Sequence, residues 1–235
     1  MNRRQMFKHV CSAAGWMMVM SSPLAIFVRR SRAQTGKRLL PADTDLGSLL
    51  FENPAHLDTR NLPLTPVDKF NTMGLTDQRV DLEHWRLSVG GAVAEPRRLD
   101  YRQVTDLPAM ERNVLLICPG VFAFNARWKG VSLGRLLQIA GVDPAATYVD
   151  VKGPAGPYAK VQRFPMGEAL TGTAFLAYAV NGRALPARHG FPLRAVAEGY
   201  LGADWVKFVD TVEAVVAPLP PPGSPPDRSG PGDLP

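Results

Sequence analysis

Cys118 carries the side chain whose chemistry most needs an explanation. It follows four apolar residues at 114–117, which predict a buried strand ending at the turn residues Pro119 and Gly120. A thiol at the end of a core strand is placed for metal ligation or nucleophilic catalysis. The only other cysteine, Cys11, lies in a predicted export signal, so the exported chain would hold one unpaired thiol in an oxidising compartment. Packing alone is the alternative, because free cysteine is among the most buried residue types.

The elements expected to position this thiol are short strands with few helices. Strands are predicted at residues 85–89, 148–152, 158–164, 175–180, 183–185 and 206–216, and residues 119–128 are predicted to form a loop. Short helices are predicted after Asp100 and Ser132 and near residues 166–170, and Asn181 with Gly182 predicts a hairpin turn. Because strands and helices do not alternate regularly, the predicted fold class is α+β.

The two ends of the chain differ from its middle. Residues 1–33 contain paired arginines (Arg3 and Arg4), an uncharged run at 10–28 and a small-residue cleavage pattern, Ser31-Arg-Ala33. These features predict a twin-arginine-like signal peptide, and hence periplasmic or other export by the export machinery, with cleavage or retention left open. Residues 34–64 are interpreted as an N-terminal extension that hugs the surface, and residues 65–217 as the functional domain. Residues 218–235 are interpreted as a disordered, proline-rich tail.

The net charge of +6 comes from the export signal. Residues 1–33 hold six basic side chains and no acidic one, which leaves the remainder balanced at 21 of each sign. A balanced domain has no basic surface of the kind that binds nucleic acid, so this class of partner is not expected.

Three segments, within residues 65–216, resemble the molybdopterin-binding catalytic domain of the sulfite oxidase family. They are Trp85-Arg-Leu-Ser-Val-Gly-Gly, Leu116-Ile-Cys118-Pro-Gly120 with Ala126-Arg-Trp128-Lys-Gly130, and Ala177-Tyr178-Ala-Val-Asn181-Gly182 with His189-Gly-Phe-Pro-Leu-Arg194. The resemblance implies that family's mixed α+β fold, a molybdenum–molybdopterin (Mo-MPT) cofactor and oxidoreductase activity. It also implies two-electron oxygen-atom transfer and electron exchange with a separate cytochrome or membrane haem partner.

The resemblance also implies a role for each matched residue. Cys118 would ligate molybdenum beside the pterin dithiolene, since a soft thiolate suits such a metal. Tyr178 lies where sulfite oxidases place a tyrosine that points at the metal centre. The implied cofactor contacts are Asn71, Thr72, His189, Arg194, Trp205, Val206 and Lys207.

One departure from the family bears on the substrate. Sulfite oxidases follow their cysteine with a loop that carries an oxyanion-holding arginine, and here Ala123 stands at that position between Phe122 and Phe124. We interpret the two phenylalanines as an apolar mouth, which favours a small uncharged substrate such as an S- or N-oxide or a related sulfur compound. A sulfite-oxidising enzyme with a rearranged pocket is the alternative.

Two further hypotheses belong to other functional classes. A binding protein could keep the fold without turnover, which the altered residues after Cys118 would allow. A thiol enzyme could use Cys118 as nucleophile and His189 as base.

Overall fold

The computed structural model describes residues 36–156 and 158–218. These residues form two five-stranded sheets, one two-stranded pair and three short α-helices. The described part thus confirms the predicted α+β class. The predicted signal peptide at 1–33 lies outside the described residues, as does all but the first residue of the predicted tail.

The first sheet is antiparallel and carries the candidate thiol. Its long strands are β5 (Ala109–Cys118), β6 (Phe122–Ser132) and β9 (Ala174–Val180). The far edge of β9 pairs with two short strands, β10 (Arg183–Ala184) and β11 (Arg194–Ala197). The apolar run of β5 is buried on both faces, which explains why it is continuous rather than alternating.

The second sheet has the order β4-β3-β12-β7-β8. Its strands are β3 (Leu87–Gly91), β4 (Arg97–Leu99), β7 (Tyr148–Lys152), β8 (Val161–Pro165) and β12 (Thr211–Val215). The pairing of β3 with β12 is parallel and the other pairings are antiparallel. Apolar side chains of both sheets join one main core cluster.

The three helices begin where the sequence predicts. In α1 (Tyr101–Thr105), the Asp100 carboxylate accepts from the Gln103 backbone N–H and the Gln103 side chain accepts from the Asp100 N–H. The second helix, α2 (Leu133–Ile139), buries Leu133, Leu136 and Leu137. The third, α3 (Met166–Thr171), follows β8 directly. No helix within the described residues is long and apolar enough to cross a membrane.

The N-terminal extension does more than the sequence indicates. Residues 37–62 include the parallel pair β1 (Arg38–Leu39) and β2 (Leu57–Asp58) and short 3-10 helices. Leu40, Leu49, Leu57 and Leu62 pack with Leu115 and Ile117 of β5 in a second core cluster. These four leucines follow neither a helical nor a strand period, which is why the extension could be mistaken for a surface segment.

Several predicted boundaries were wrong: the strands predicted at 85–89 and 158–164 are Leu87–Gly91 and Val161–Pro165, and two larger differences concern β6 and β12. The predicted loop at 119–128 contains the start of β6, which pairs with β5 from Cys118 opposite Phe122 onward. The predicted strand at 206–216 begins only at Thr211, because Phe208 has a left-handed backbone angle, φ +55°, that interrupts an extended chain.

Candidate active site

A cavity of about 510 Å³ lies beside the end of β5. Six of the nine predicted site residues line it, namely Asn71, Thr72, Cys118, Arg194, Trp205 and Lys207. These residues come from four separate parts of the sequence. The fold therefore brings together most of a site that spacing alone could not assemble.

The Cys118 thiol is held at the last pair of the β5–β6 hairpin. The turn is closed by the Val121 N–H donating to the Cys118 carbonyl at 3.0 Å and is tied to the extension by the Gly120 N–H donating to Leu50 at 3.1 Å. Burial raises the pKa of the Cys118 thiol. The thiol contacts Met73 Sδ at 3.3 Å. A raised pKa favours the neutral thiol, which does not support the thiol-enzyme hypothesis.

The Lys207 ammonium joins three segments at the cavity wall. It donates to the carbonyls of Met73 at 2.8 Å, Leu75 at 3.0 Å and Arg188 at 3.2 Å, and it also contacts Thr72 Oγ1. Burial, together with the charges of Arg194 and Arg188, lowers the pKa of Lys207 to about 8. The ammonium is thus held by neutral groups in a cationic environment.

Arg194 is a buried cation that faces the cavity. Its Nη1 donates to the His189 carbonyl at 3.0 Å, and its Nε has no hydrogen-bond partner. The guanidinium carbon lies 5.7 Å from the Trp128 ring centre and 5.3 Å from that of Trp205. Burial lowers the pKa of Arg194 to about 10. Within the described residues, no carboxylate forms an ion pair with this charge.

His189 lies behind the cavity wall rather than in it. Its side chain is 2% exposed, its Nδ1 has no partner, and its ring meets the Phe70 ring edge-on at 5.6 Å. Burial and the neighbouring cations, Arg194 foremost, lower the pKa of His189 to about 4. The next residue must be glycine here, since Gly190 has φ +107° and a Cβ would lie 3.0 Å from Lys207 Cα. This close approach seats the Lys207 backbone against the 187–190 turn.

The aromatic residues near the thiol correct the predicted mouth. Phe122 lines the cavity, as expected. Phe124, however, is 2% exposed and stacks on Phe70 at 4.1 Å, inside the core. Ala123 points to the opposite side of β6 and packs against the second core cluster. Because neighbouring residues of a strand face opposite ways, Ala123 and Phe122 cannot both face the cavity.

Two predicted residues besides His189 do not line the cavity. Val206 is buried, and its carbonyl accepts from the Ala195 N–H at 2.8 Å, so its part is to hold the neighbouring Trp205 and Lys207 in place. Tyr178 lies on β9 near Tyr101. Burial raises the phenol pKa of Tyr101, and the nearby Tyr178 raises it further. Its catalytic role stays a prediction.

Several residues missed from the sequence also line the cavity, among them Met73 and Lys160. Met73 was recognisable as an apolar residue within a polar loop, two positions beyond Asn71. Lys160 follows the Gly/Pro-rich loop after β7, and only its position after a loop could have suggested it.

The cavity has unfilled donors suited to an anionic, heteroaromatic ligand. Arg194 Nε and Trp205 Nε1 are buried N–H groups without partners, and Lys207 adds a second cation. Each unpaired buried donor costs roughly 1–3 kcal/mol of folding free energy. A bound ligand with a phosphate and a ring would give these donors acceptors and remove that cost. A soft sulfur ligand lies at the same cavity. No cluster of three or more His, Cys, Asp or Glu side chains that could hold a metal ion occurs in the described ranges.

A fold and site of this kind define a cofactor-binding oxidoreductase domain. Residues 74–220 match the family described as the oxidoreductase molybdopterin binding domain, well over half of the chain. The chain belongs to this family, which confirms the resemblance drawn from its motifs.

Two relatives in sequence and one in structure give this assignment more detail. The chain is 34% identical over 117 residues to YuiH of Bacillus subtilis (strain 168), an uncharacterized oxidoreductase, covering 49% of this chain and 58% of that protein. It is 29% identical over 145 residues to MsrP of Gluconobacter oxydans (strain 621H), a protein-methionine-sulfoxide reductase catalytic subunit, covering 54% and 46% respectively. Each alignment thus spans less than two thirds of the relative's own length.

A solved structure shares the fold. The sulfane dehydrogenase SoxCD from Paracoccus pantotrophus superposes with a TM-score of 0.61 at 21% identity, over 88% of this chain and 56% of that chain. At this identity the likeness concerns the fold alone.

Proposed function

We propose that this chain is an exported molybdenum–molybdopterin oxidoreductase that transfers an oxygen atom to or from a small uncharged sulfur compound. The single observation that carries the proposal is the meeting of Cys118, Arg194, Lys207 and the Trp205 indole at one cavity. When bound, the cofactor supplies two-electron oxygen-atom transfer and one-electron exchange.

Each residue of the chain has a defined task in this proposal. Cys118 binds the metal as thiolate, and metal binding offsets the raised pKa of the thiol by displacing its proton. Arg194 and Lys207 hold the cofactor phosphate, with the Arg194 fork making charge-assisted hydrogen bonds. Asn71 and Thr72 would contact the pterin, and the unpaired Trp205 N–H would donate to it. The backbone carbonyl of His189 accepts from Arg194 Nη1 and so orients the guanidinium.

An uncharged S-oxide is the proposed substrate for two reasons. Phe122 is the side chain beside Cys118 that faces the cavity, and it offers an apolar wall rather than a cation. The relative from Gluconobacter is named for reduction of methionine sulfoxide in proteins, which is a neutral S-oxide. Because that relative is named as a catalytic subunit, we also propose a separate electron-transfer partner, a cytochrome or membrane haem protein. Export through a twin-arginine-like signal at residues 1–33 remains part of the proposal.

The test is to compare the wild type with Cys118→Ser for molybdenum content and for turnover of a neutral sulfoxide with an artificial electron donor. We expect the serine variant to lose turnover, since a hydroxyl is a poor ligand for a soft site. Its unfolding temperature without cofactor should match that of wild type. Full turnover in Cys118→Ser would overturn the metal-ligand role.

Sulfite oxidation is the second candidate, and one observation favours it. Lys160 lines the cavity and brings a further cation to it. Sulfite turnover far above sulfoxide turnover, lost in Lys160→Met, would replace our substrate proposal and leave the cofactor proposal standing.

A further inference from the structure

The side chain of Met73 contacts the thiol of Cys118. Its Sδ is 3.3 Å from Cys118 Sγ, and its side chain lines the cavity while remaining 55% exposed. A side chain that contacts the sulfur at one end and solvent along its length stands between the two. Cys118 is itself only partly exposed, and Met73 is a cavity-lining side chain in contact with its sulfur.

The backbone of this segment is fixed although the side chain is exposed. The Lys207 ammonium holds the carbonyls of Met73 and Leu75, at 2.8 and 3.0 Å, and also contacts Thr72. Motion at Met73 is thus directed into its side-chain torsions rather than its backbone. Methionine is unbranched, has three rotatable bonds and adapts to irregular contacts, so it can swing aside without loss of the anchor.

We propose that Met73 is a specificity-determining residue, a side-chain gate that covers Cys118 and sets the size of the molecule that reaches it. The thioether closes over the sulfur in the free protein. It turns outward when a molecule of suitable size and polarity displaces it, and then packs against that molecule. The extension to substrate choice rests on the proposed function, whereas the covering of Cys118 does not.

The first test needs no cofactor. Full-length protein prepared without molybdenum cofactor is treated with iodoacetamide over a range of pH, and carboxamidomethylation of the Cys118 peptide is followed by mass spectrometry. The rate on the high-pH plateau reports access to the thiolate, while the midpoint reports its pKa, so the two effects separate. Mass spectrometry also separates Cys118 from Cys11.

We expect the plateau rate of Met73→Ala to rise about tenfold, which corresponds to about 1.4 kcal/mol of protection. Lys207→Met should also raise it, because the segment loses its anchor. Leu170→Ala is the matched control, since Leu170 is 60% exposed and does not line the cavity. If the plateau rate of Met73→Ala stays within about twofold of the wild-type rate, the gate proposal is overturned. An equal rise in Leu170→Ala would do so too.

The second test uses the cofactor-loaded enzyme. Met73→Ala should lower KM for methyl p-tolyl sulfoxide relative to dimethyl sulfoxide while leaving kcat nearly unchanged, and Met73→Phe should do the reverse. Equal effects on both substrates would refute the role in specificity. If neither sulfoxide is turned over while alkylation still rises in Met73→Ala, the proposed function fails and the gate stands.

Discussion

Buried positive charge is the feature that most distinguishes this site at the scale of single residues. Arg194 and Lys207 lie close enough that the charge of Arg194 lowers the pKa of Lys207. Buried charges without a counter-ion are costly. The arrangement is therefore expected to weaken the cofactor-free protein and to be offset when an anion binds.

The pH dependence of the unfolding free energy reports the cost of burying His189 beside these cations. Its pKa is about 4 in the folded protein, against about 6.5 in an unfolded chain, so the unfolded state alone takes up a proton between these values. The folded state therefore loses stability as pH falls from 6.5 to 4, by up to about 3 kcal/mol. We expect wild-type protein to lose that much more unfolding free energy than His189→Gln between pH 7 and pH 4, measured by urea denaturation.

His84 supplies the matched control for this prediction. Its side chain is 83% exposed and pairs with Asp81 at the surface. A change of pH dependence in His84→Gln as large as that in His189→Gln would contradict the assignment of the effect to the buried imidazole. An unchanged pH dependence in His189→Gln would show that burial and the neighbouring cations do not keep the imidazole neutral.

Residue types in the site were predictable, but the directions of several side chains were not. Cys118, Arg194 and Lys207 could be chosen because a thiol and two cations recurred in family motifs. Phe124 packs in the main core and Ala123 against the second core cluster, and which side chain takes which face of β6 is fixed by pairing with β5. The contact of Met73 with Cys118 joins residues 45 positions apart and follows only from the tertiary fold.

At the scale of elements, the β9–β10 hairpin connects the first sheet to the segment at Thr65, which leads to the cavity residue Asn71. Asn181 takes a left-handed angle, φ +49°, at the turn. Its Oδ1 accepts from the Arg127 N–H at 2.9 Å, and its Nδ2 donates to the Thr65 carbonyl at 2.8 Å. One side chain thereby shapes the turn and fastens it to β6 and to the segment that leads to Asn71.

Two substitutions separate these contributions. Asn181→Gly keeps the left-handed angle and loses two hydrogen bonds, which should cost about 1–3 kcal/mol of unfolding free energy. Asn181→Ala should cost about 1–2 kcal/mol more, because alanine resists the left-handed region. Equal losses in urea denaturation would contradict the claim that backbone angle matters at this turn.

Most strands were recognisable because their signals are local. The turn at Asn181 and the Asp100 cap of α1 act within four residues, and β7 had the predicted bounds. Strands β4 and β11 were missed, since three or four residues carry too little pattern to distinguish them from a loop. These segments become strands because β4 pairs with β3 and β11 pairs with β9.

At the scale of the whole molecule, β12 lies between β3 and β7 and pairs with both. Gly91 allows its parallel approach to β3. It has φ +77°, and a Cβ would lie 2.2 Å from the Ala214 carbonyl oxygen.

Gly91→Ala tests how much of the domain depends on this junction. Because both the angle and the contact oppose a side chain, we expect a loss of about 1–3 kcal/mol or more in unfolding free energy. Gly90→Ala is the matched control, since a Cβ there meets nothing within 4 Å and should stabilise by about 0.4–1 kcal/mol. Similar values for the two variants in urea denaturation would exclude close packing at this junction.

The central place of β12 also dictates an order of events during synthesis. A nascent chain that has reached Lys152 holds β3 and β7, but the strand that must lie between them is still untranslated. Until residues 211–215 leave the ribosome, the second sheet offers open edges of the kind that aggregate or recruit chaperones. Such long-range pairing slows folding, so the cavity wall that includes Lys207 matures among the last parts of the molecule.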